Sequence, residues 1–334
     1  MIRLSSYVAW MGHHRDGKII GDLQKPSLLL PGRLLVLGNT ESTAMLKIGF
    51  IGAGTVGSAL ALQLAKKGYH VVAVSSRSHI SADKLAKALP GCKAERHNQA
   101  VADISDMVFI TTPDDIIARI ASGVKWRPGQ SVIHCSGADS TAILEAARQS
   151  GAEIGGFHPL QTFASVQSAL ENMPGSTVAI EAEEPLLAVL KEMASALDSH
   201  SIELKGENKA IYHAAAVMVS NYLVTLVKMA TDLWETMGIS KEEATRALLP
   251  LLKGTINNIG TIGLPGCLTG PIARGDVGTI KKHLESLEKA APGLLPTYRE
   301  LAMQTIPVAL AAGNINERQA EALKAVLEKE LSRI

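Results

Sequence analysis

The first residues that could carry chemistry are three glycines that stand close together after an apolar run. The string Gly52-Ala53-Gly54-Thr55-Val56-Gly57 follows KIGFI and precedes a segment of helical spacing. In such a turn the first glycine permits a tight bend, the second lets backbone approach a ligand, and the third lets helix and strand pack closely. The following helix N-terminus adds N–H groups and partial positive charge. The pattern predicts a site for the pyrophosphate of a dinucleotide, and its alternative is a tight turn without a ligand.

The residues after the next apolar run bear on which dinucleotide would bind. An acidic residue at this point would accept hydrogen bonds from the ribose of NAD, but the chain has Ser75, Ser76 and Arg77. Hydroxyls and a guanidinium suit a 2′-phosphate, so the sequence favours NADP(H) over NAD(H), although Arg77 could be a solvated loop residue. The string Thr111-Thr112-Pro113 ends a further apolar run and is predicted to lie at the same ligand-binding edge. Its alternative is ordinary turn chemistry.

The string HPLQTF contains a candidate proton donor. His158 follows an apolar run at 153–157 and is therefore expected to face the crevice, with Gln161 beside it as a substrate-binding residue. Histidine is a natural proton donor to a developing alkoxide near neutral pH. The alternative is a structural histidine that fixes the loop before Pro159.

A second group of polar side chains lies on one helical face. Lys209, Tyr212 and His213 are spaced i, i+3 and i+4, Ser220 continues that face, and Asn221 lies toward its flank. Such groups on an otherwise apolar helix are costly to bury unless they meet a ligand or each other. We expect Lys209 and His213 to be catalytic and the other three to bind substrate; alternatively, Lys209 only decorates the first helical turn.

A third segment, TGPIARGD, contains a residue that could hold an anion. Arg274 could bind a substrate carboxylate or phosphate through two hydrogen bonds. Alternatively, Asp276 caps the following helix and pairs with Arg274. No histidine spacing in the chain predicts a metal site.

The elements that would position these residues alternate between strand and helix and then become helical. Strand-like runs begin at Leu46 and His70 and recur at 107–111, 131–135, 153–157, 177–182 and 201–204, with helical spacing at 57–67, 81–89, 140–149 and 184–197. This alternation predicts an α/β N-terminal Rossmann domain, a doubly wound parallel sheet over 46–205. Residues 206–334 are predicted to form an all-α domain for substrate binding and dimerisation. Because 208–236 is apolar on most faces, we expect a homodimer.

The first 45 residues show neither a secretory signal nor a clear period. Since Met45 immediately precedes a strong strand pattern, we interpret 1–45 as an extension, either disordered or upstream of the natural start.

Composition excludes several other classes of protein. The formal net charge is +1 and aromatic residues make up 4%, so neither nucleic acid nor a membrane surface is an expected partner. No uninterrupted apolar run approaches the ~20 residues of a membrane span. Three widely separated cysteines predict no disulfide framework, which fits a reducing cytoplasm. A small molecule is the expected partner.

The glycine loop, TTPDD, HCSGA, HPLQTF, YHAAAVMVSNYL and TGPIARGD together resemble a bacterial family of Rossmann-like oxidoreductases with a helical C-terminal domain of unassigned function. The resemblance covers Lys47 to about Leu310. That family is similar to the deazaflavin-dependent NADP oxidoreductases, pyrroline-carboxylate reductases, ketopantoate reductases and hydroxyacid dehydrogenases, which implies a helical dimerisation domain.

The resemblance also implies roles for two of the candidate groups. In ketopantoate reductases and hydroxyacid dehydrogenases the helix after the dinucleotide domain carries a lysine and, one turn later, an asparagine. Lys209 matches the lysine, whereas His213 stands at the asparagine position. His158-Pro159 is similar in placement to the His-Pro of prephenate dehydrogenases and to the catalytic histidine of hydroxyacyl-CoA dehydrogenases.

These observations lead to one prediction and one alternative. We expect an NADP(H)-dependent oxidoreductase that transfers hydride to or from a small carbonyl, imine or hydroxyl substrate. The alternative is a non-catalytic dinucleotide-binding redox sensor or assembly protein. A variant of the first prediction has a deazaflavin as the redox partner.

Overall fold

The computed structural model describes residues 45–328. These residues divide into two units: the first comprises 45–136 and 140–204, and the second comprises 137–139 and 205–328. The extension predicted for residues 1–45 lies outside the described part of the chain, except for Met45.

The first unit is built on an eight-stranded sheet in the order β3-β2-β1-β4-β5-β6-β7-β8. Its strands are β1 (Lys47–Ile51), β2 (His70–Ser75), β3 (Lys93–Glu95), β4 (Met107–Ile110), β5 (Ser131–His134), β6 (Glu153–Leu160), β7 (Thr177–Ala182) and β8 (His200–Glu203). All pairings from β3 to β6 are parallel. The order 3-2-1-4-5-6 is that of a dinucleotide-binding sheet and confirms the predicted fold class.

The last part of the sheet departs from a purely parallel arrangement. β7 pairs antiparallel to β6, with His158 opposite Ala179, and β8 then runs parallel to β7. The connection from β6 to β7 spans residues 161–176 and contains one short helix, Val166–Asn172. That connection is held by the side chain of Gln63, which donates to the carbonyl of Leu170 at 2.9 Å.

Helices cover both faces of this sheet. They are α1 (Thr55–Lys66), α2 (His79–Lys87), α3 (Asn98–Ile104), α4 (Asp114–Gly123), α5 (Glu145–Gln149), α6 (Val166–Asn172) and α7 (Leu186–Ala196). Of these, α3, α4 and α6, together with strand β3, were not predicted. One apolar core packs α1, α2 and α7 against the sheet, and a second packs α3, α4 and α5 against its other face. The sheet is therefore doubly wound.

The second unit is all-helical, as predicted. Its helices are α8 (Lys209–Val219), α9 (Asn221–Glu235), α10 (Lys241–Thr261), α11 (Val277–Ala290), α12 (Leu295–Ala311) and α13 (Glu317–Glu328). Its apolar core is made by α11, α12 and α13 together with Ile272. The helices α8, α9 and α10 contribute no residue to that core.

The segment Gly206–Glu235 is the most apolar long helical stretch of the described residues. It is long and apolar enough to cross a membrane by length and composition, with a mean hydropathy of 1.5 over its most apolar 18 residues. The prediction concerned uninterrupted apolar runs, and polar side chains such as His213, Ser220 and Asn221 interrupt this segment. The helix is also broken at Ser220, which forms a turn between α8 and α9.

Candidate functional site

The glycine loop lies between β1 and α1, where the predicted turn is found. Gly52 has φ +119°, a left-handed value that favours glycine, and its N–H donates to the carbonyl of Ser75 at 2.8 Å. A Cβ on Gly57 would lie 2.3 Å from the carbonyl oxygen of Gly52 and 2.3 Å from the hydroxyl of Thr111. The first and third glycines are therefore required by the protein's own packing.

The surroundings of Gly54 differ from those of Gly52 and Gly57. A Cβ built on it meets nothing within 4 Å, and its φ of −76° is available to any residue. It precedes Thr55 and Val56 at the start of α1, whose N-terminus has no side-chain cap and no acidic residue in its first turn. Open space beside uncapped N–H groups of a twelve-residue helix is suited to an anion such as a pyrophosphate.

The loop after β4 supports the glycine loop. The hydroxyl of Thr111 donates to the carbonyl of Gly52 at 2.8 Å, so this predicted cofactor residue holds the turn in place. The hydroxyl of Thr112 is shielded from solvent and has no hydrogen-bond partner among the described residues. Pro113 precedes α4 and is exposed. A shielded hydroxyl beside a ligand edge is available to donate to a bound molecule.

The loop after β2 contains the residues predicted to select NADP(H). Ser75 is buried and its hydroxyl donates to Asn98 Oδ1 at 2.9 Å, whereas Ser76 is half-buried and Arg77 is exposed. Sequence reasoning missed Asn98. Asn98 is the first residue of a short helix whose N-cap is His97, so the preference of asparagine for N-cap positions gives no local signal for it.

The loop after β5 is fixed by two carboxylates that sequence reasoning also missed. The hydroxyl of Ser136 donates to Asp114 at 2.8 Å, and Thr141 donates from its backbone and its hydroxyl to Glu181 at 3.0 and 2.9 Å. The Ser136 N–H also donates to His134 Nδ1 at 3.1 Å, so the proton of a neutral His134 lies on Nε2. The bonds to Asp114 and Glu181 join residues 22 and 40 positions apart, so no local sequence pattern indicates them.

The predicted proton donor His158 lies inside β6, because that strand continues to Leu160 instead of ending at 157. β5 ends at His134, which pairs with Gly156, so β6 extends beyond β5 at the carboxyl edge and His158 belongs to this extension. Gln161 donates to the carbonyl of Asn172 at 3.0 Å and thereby ties down the connection to α6. Its predicted role in substrate binding stays a prediction.

In the second unit, the polar face predicted for α8 is the helix's least exposed face. Lys209 is 1% exposed, and Tyr212, His213, Ala216, Val217 and Ser220 are half-buried, whereas the other residues of the helix are exposed. Burial of Lys209 excludes the alternative of a solvated first-turn lysine. Burial also raises the pKa of Tyr212 to about 12. Ser220 donates to the carbonyl of Ala216 at 3.0 Å and lies 2.9 Å from the side-chain oxygen of Asn221, which is exposed.

The segment TGPIARGD forms a short turn before α11. Asp276 caps that helix by accepting from the N–H and the hydroxyl of Thr279 at 2.9 and 2.7 Å. These bonds, with a smaller contribution from the charge of Arg274, lower the pKa of Asp276. Arg274 itself is exposed. The capping role suggested by the sequence is confirmed, and the substrate role of Arg274 stays a prediction.

Comparison with known families agrees with this architecture. Residues 38–159 match the model of a Rossmann-like domain, and residues 176–305 match a domain of unknown function, DUF2520. The chain therefore combines a Rossmann-like domain with a DUF2520 helical domain, which confirms the resemblance at this level. No curated protein matches the chain.

Several solved structures share the fold. A Bacteroides fragilis protein, described provisionally as an NADP oxidoreductase, is 26% identical, with 78% of this chain and 98% of that chain covered and a TM-score of 0.63. A reductive aminase from Aspergillus terreus, solved with NADPH and ethyl levulinate, is 16% identical, with coverage of 86% and 100% and a TM-score of 0.58. A pyrroline carboxylate reductase from Plasmodium falciparum, solved with NADP, is 18% identical, with coverage of 84% and 98% and a TM-score of 0.55.

Proposed function

We propose that this protein is an NADP(H)-dependent oxidoreductase that transfers hydride between the nicotinamide and a small carbonyl, imine or hydroxyl substrate. The observation that carries the proposal is the glycine loop. Gly52 and Gly57 are fixed by contacts within the protein, whereas Gly54 leaves open space beside the uncapped N-terminus of α1. A turn without a ligand would explain the first and third glycines and would not require the second.

The choice of NADP(H) is supported by the loop after β2. Arg77 is exposed at the end of a strand that borders the glycine loop, and no carboxylate occurs between Ser75 and Asp83. A carboxylate there would accept from a ribose hydroxyl and repel a 2′-phosphate. The similar solved structures that contain NADP or NADPH support the same choice.

The dinucleotide would supply the hydride, and side chains of this protein would position the substrate and move a proton. We assign His158 and Lys209 to polarising and protonating the reacting group, with His213 in support. Gln161, Tyr212, Ser220, Asn221 and Arg274 are assigned to substrate binding. The nearly complete burial of Lys209 supports its assignment, because a charged group shielded from solvent interacts more strongly with developing charge.

The test is oxidation of NADPH by the purified full chain with a panel of keto acids, aldehydes and cyclic imines. Turnover with any of these classes supports the proposal and narrows the substrate. Tight NADPH binding without turnover, also in the presence of a deazaflavin, supports the non-catalytic sensor or assembly protein. Absence of dinucleotide binding contradicts both.

We also propose that helices α8, α9 and α10 are covered by a second copy of the chain. In each of these helices a single residue is buried: Lys209, Thr231 and Ala244. Large apolar side chains are exposed along all three helices: Ile211, Met218, Val219, Tyr222, Val224, Leu226, Leu249, Leu251, Ile256 and Ile259. An exposed apolar surface of this extent indicates an interface.

A second copy fits this surface better than a lipid bilayer does. The surface continues onto α10, which carries Lys241, Glu242, Glu243 and Arg246 within its first two turns. Ion pairs such as Lys228–Asp232 on α9 would be costly in hydrocarbon. An identical copy presents the same face about a twofold axis, so each apolar helix meets an apolar partner. A cytoplasmic location, where NADPH is at hand and cysteines stay reduced, completes the proposal.

Sedimentation of the full chain tests the homodimer. A dimer is expected for the wild type, and Val224→Glu, which places a carboxylate on the exposed face of α9, is expected to weaken it. Ile80→Glu is the matched control, because Ile80 is 82% exposed on α2 of the first unit. A monomeric wild type, or flotation of the protein with lipid vesicles, would contradict the proposed occupant.

A further inference from the structure

The loops that follow β2 and β3 lie side by side at one end of the sheet. β2 and β3 are parallel, and Ser75, the last residue of β2, pairs with Glu95, the last residue of β3. Both strands therefore end at the same edge, the loop 76–78 follows the first, and the loop 96–97 follows the second. The Ser75 hydroxyl donates to Asn98 Oδ1 at 2.9 Å and so joins the residue before the first loop to the residue after the second.

Each of these loops carries an arginine. Arg77 and Arg96 are both exposed, and neither forms an ion pair with another described residue. Ser78 is the N-cap residue of α2, yet its hydroxyl makes no capping bond. Glu95 supplies one negative charge at the end of β3, so the two guanidinium groups outnumber it. The edge therefore presents a small, positively charged patch with a hydroxyl beside it.

We propose that Arg96 binds the 2′-phosphate of NADP(H) together with Arg77, so that one guanidinium comes from each loop. This inference rests on the proposed function and names a further residue that determines its cofactor specificity. A phosphate monoester on a sugar carries nearly two negative charges at neutral pH and offers three acceptor oxygens. A single arginine can occupy two of those oxygens, which leaves one oxygen and about one charge for a second group.

The pairing of β2 with β3 places Arg96 close to Arg77. Neighbouring parallel strands lie about 4.8 Å apart, so residues that directly follow Ser75 and Glu95 start from adjacent points of the edge. A ligand group held by Arg77 therefore lies within reach of an arginine side chain that begins one strand away. The bond between Ser75 and Asn98 fixes the spacing of the loops before any ligand binds.

The experiment is a fluorescence titration of the full-length wild type and of Arg96→Ala, Arg77→Ala and Arg96→Lys with NADPH and with NADH. We expect Arg96→Ala to weaken NADPH binding by about tenfold to a hundredfold, as for loss of a charged hydrogen bond. NADH, which lacks the phosphate, should bind to this variant as it does to the wild type. Arg96→Lys should restore part of the NADPH affinity, because it keeps the charge.

Arg148→Ala is the matched control for loss of a surface arginine, because Arg148 pairs with Glu145 on α5, away from this edge. It should leave both affinities unchanged. Unchanged NADPH binding in Arg96→Ala, with weakened binding in Arg77→Ala, would overturn the inference and leave the proposed function intact. An equal loss for NADPH and NADH would also overturn it. A wild type that binds neither dinucleotide would overturn the proposed function, and with it the inference.

Discussion

Replacement of Gly54 by alanine separates a ligand-binding role of the glycine loop from a purely structural one. A methyl group at this position meets no protein atom within 4 Å, and the backbone at φ −76° accepts alanine without strain. The same space beside the N-terminus of α1 is where we place the pyrophosphate. The substitution should therefore affect the bound state and leave the unbound fold unharmed.

Gly54→Ala should stabilise the unbound protein and weaken its binding of NADPH. At a compatible backbone position, replacing glycine by alanine stabilises a protein by about 0.4–1 kcal/mol, since the unfolded chain loses freedom. For a unit of this size that raises Tm by up to about 4 °C. Moving the pyrophosphate away from the N–H groups forfeits about 1.5–3 kcal/mol for each bond lost, so the Kd for NADPH should rise about tenfold to a hundredfold.

The assay is thermal unfolding without ligand, followed by NADPH titration of the same samples. A Gly54→Ala variant with an unchanged or raised Tm and weakened NADPH binding is the expected result. Wild-type affinity for NADPH in this variant would refute the reasoning, because it would mean that no ligand approaches Gly54. A lowered Tm would refute the claim that the space beside Gly54 is open.

Three further outcomes follow from the same structure. Gly57→Ala should destabilise the fold by about 1–3 kcal/mol in denaturant unfolding, because its methyl group would lie 2.3 Å from protein atoms. His158→Ala and Lys209→Ala should each lower kcat by about a hundredfold or more and leave the Kd for NADPH nearly unchanged. Tyr212, with a pKa of about 12, should stay protonated to well above pH 10, so Tyr212→Phe should keep the wild-type shape of the pH profile below about pH 10. Because that pKa is raised in the folded state, the stability from the neutral phenol should be fully present below about pH 10 and be lost as the pH rises through about 12.

Two surface residues serve as controls for the catalytic variants. His200 on β8 and Lys205, which precedes α8, are both exposed, and their replacement by alanine should leave turnover unchanged. Wild-type turnover in both catalytic variants would remove the assigned roles. A destabilised Gly54→Ala beside a stable Gly57→Ala would reverse the assignment of the two glycines.

The sequence predicted those features that depend on neighbouring residues. An apolar run, three glycines and a helical period lie within twenty residues of one another, so β1, the glycine loop and α1 could be predicted, and the structure confirms them. The polar face of α8 was also predictable, because residues three and four positions apart lie on one side of a helix. Its low exposure in the structure agrees with that pattern.

Other features depend on contacts between distant residues and left no local signal. The bond from Thr111 to Gly52 spans 59 positions, and the bonds from Thr141 to Glu181 span 40. The reversed direction of β7 depends on how the chain returns along one edge of the sheet, which the apolar period of β7 does not encode. The break at Ser220, where φ is −114° and ψ is −69°, lies inside a segment that is apolar on most faces, so a hydrophobic pattern does not reveal it.

The central claim is that the glycine loop binds NADP(H) in preference to NAD(H), and a fluorescence titration of the wild type with both dinucleotides in one buffer tests it most directly. We predict saturable binding of NADPH with a Kd at least about tenfold below that of NADH, the difference expected for a paired phosphate. Equal affinities, tighter binding of NADH, or no binding of either dinucleotide would contradict the account.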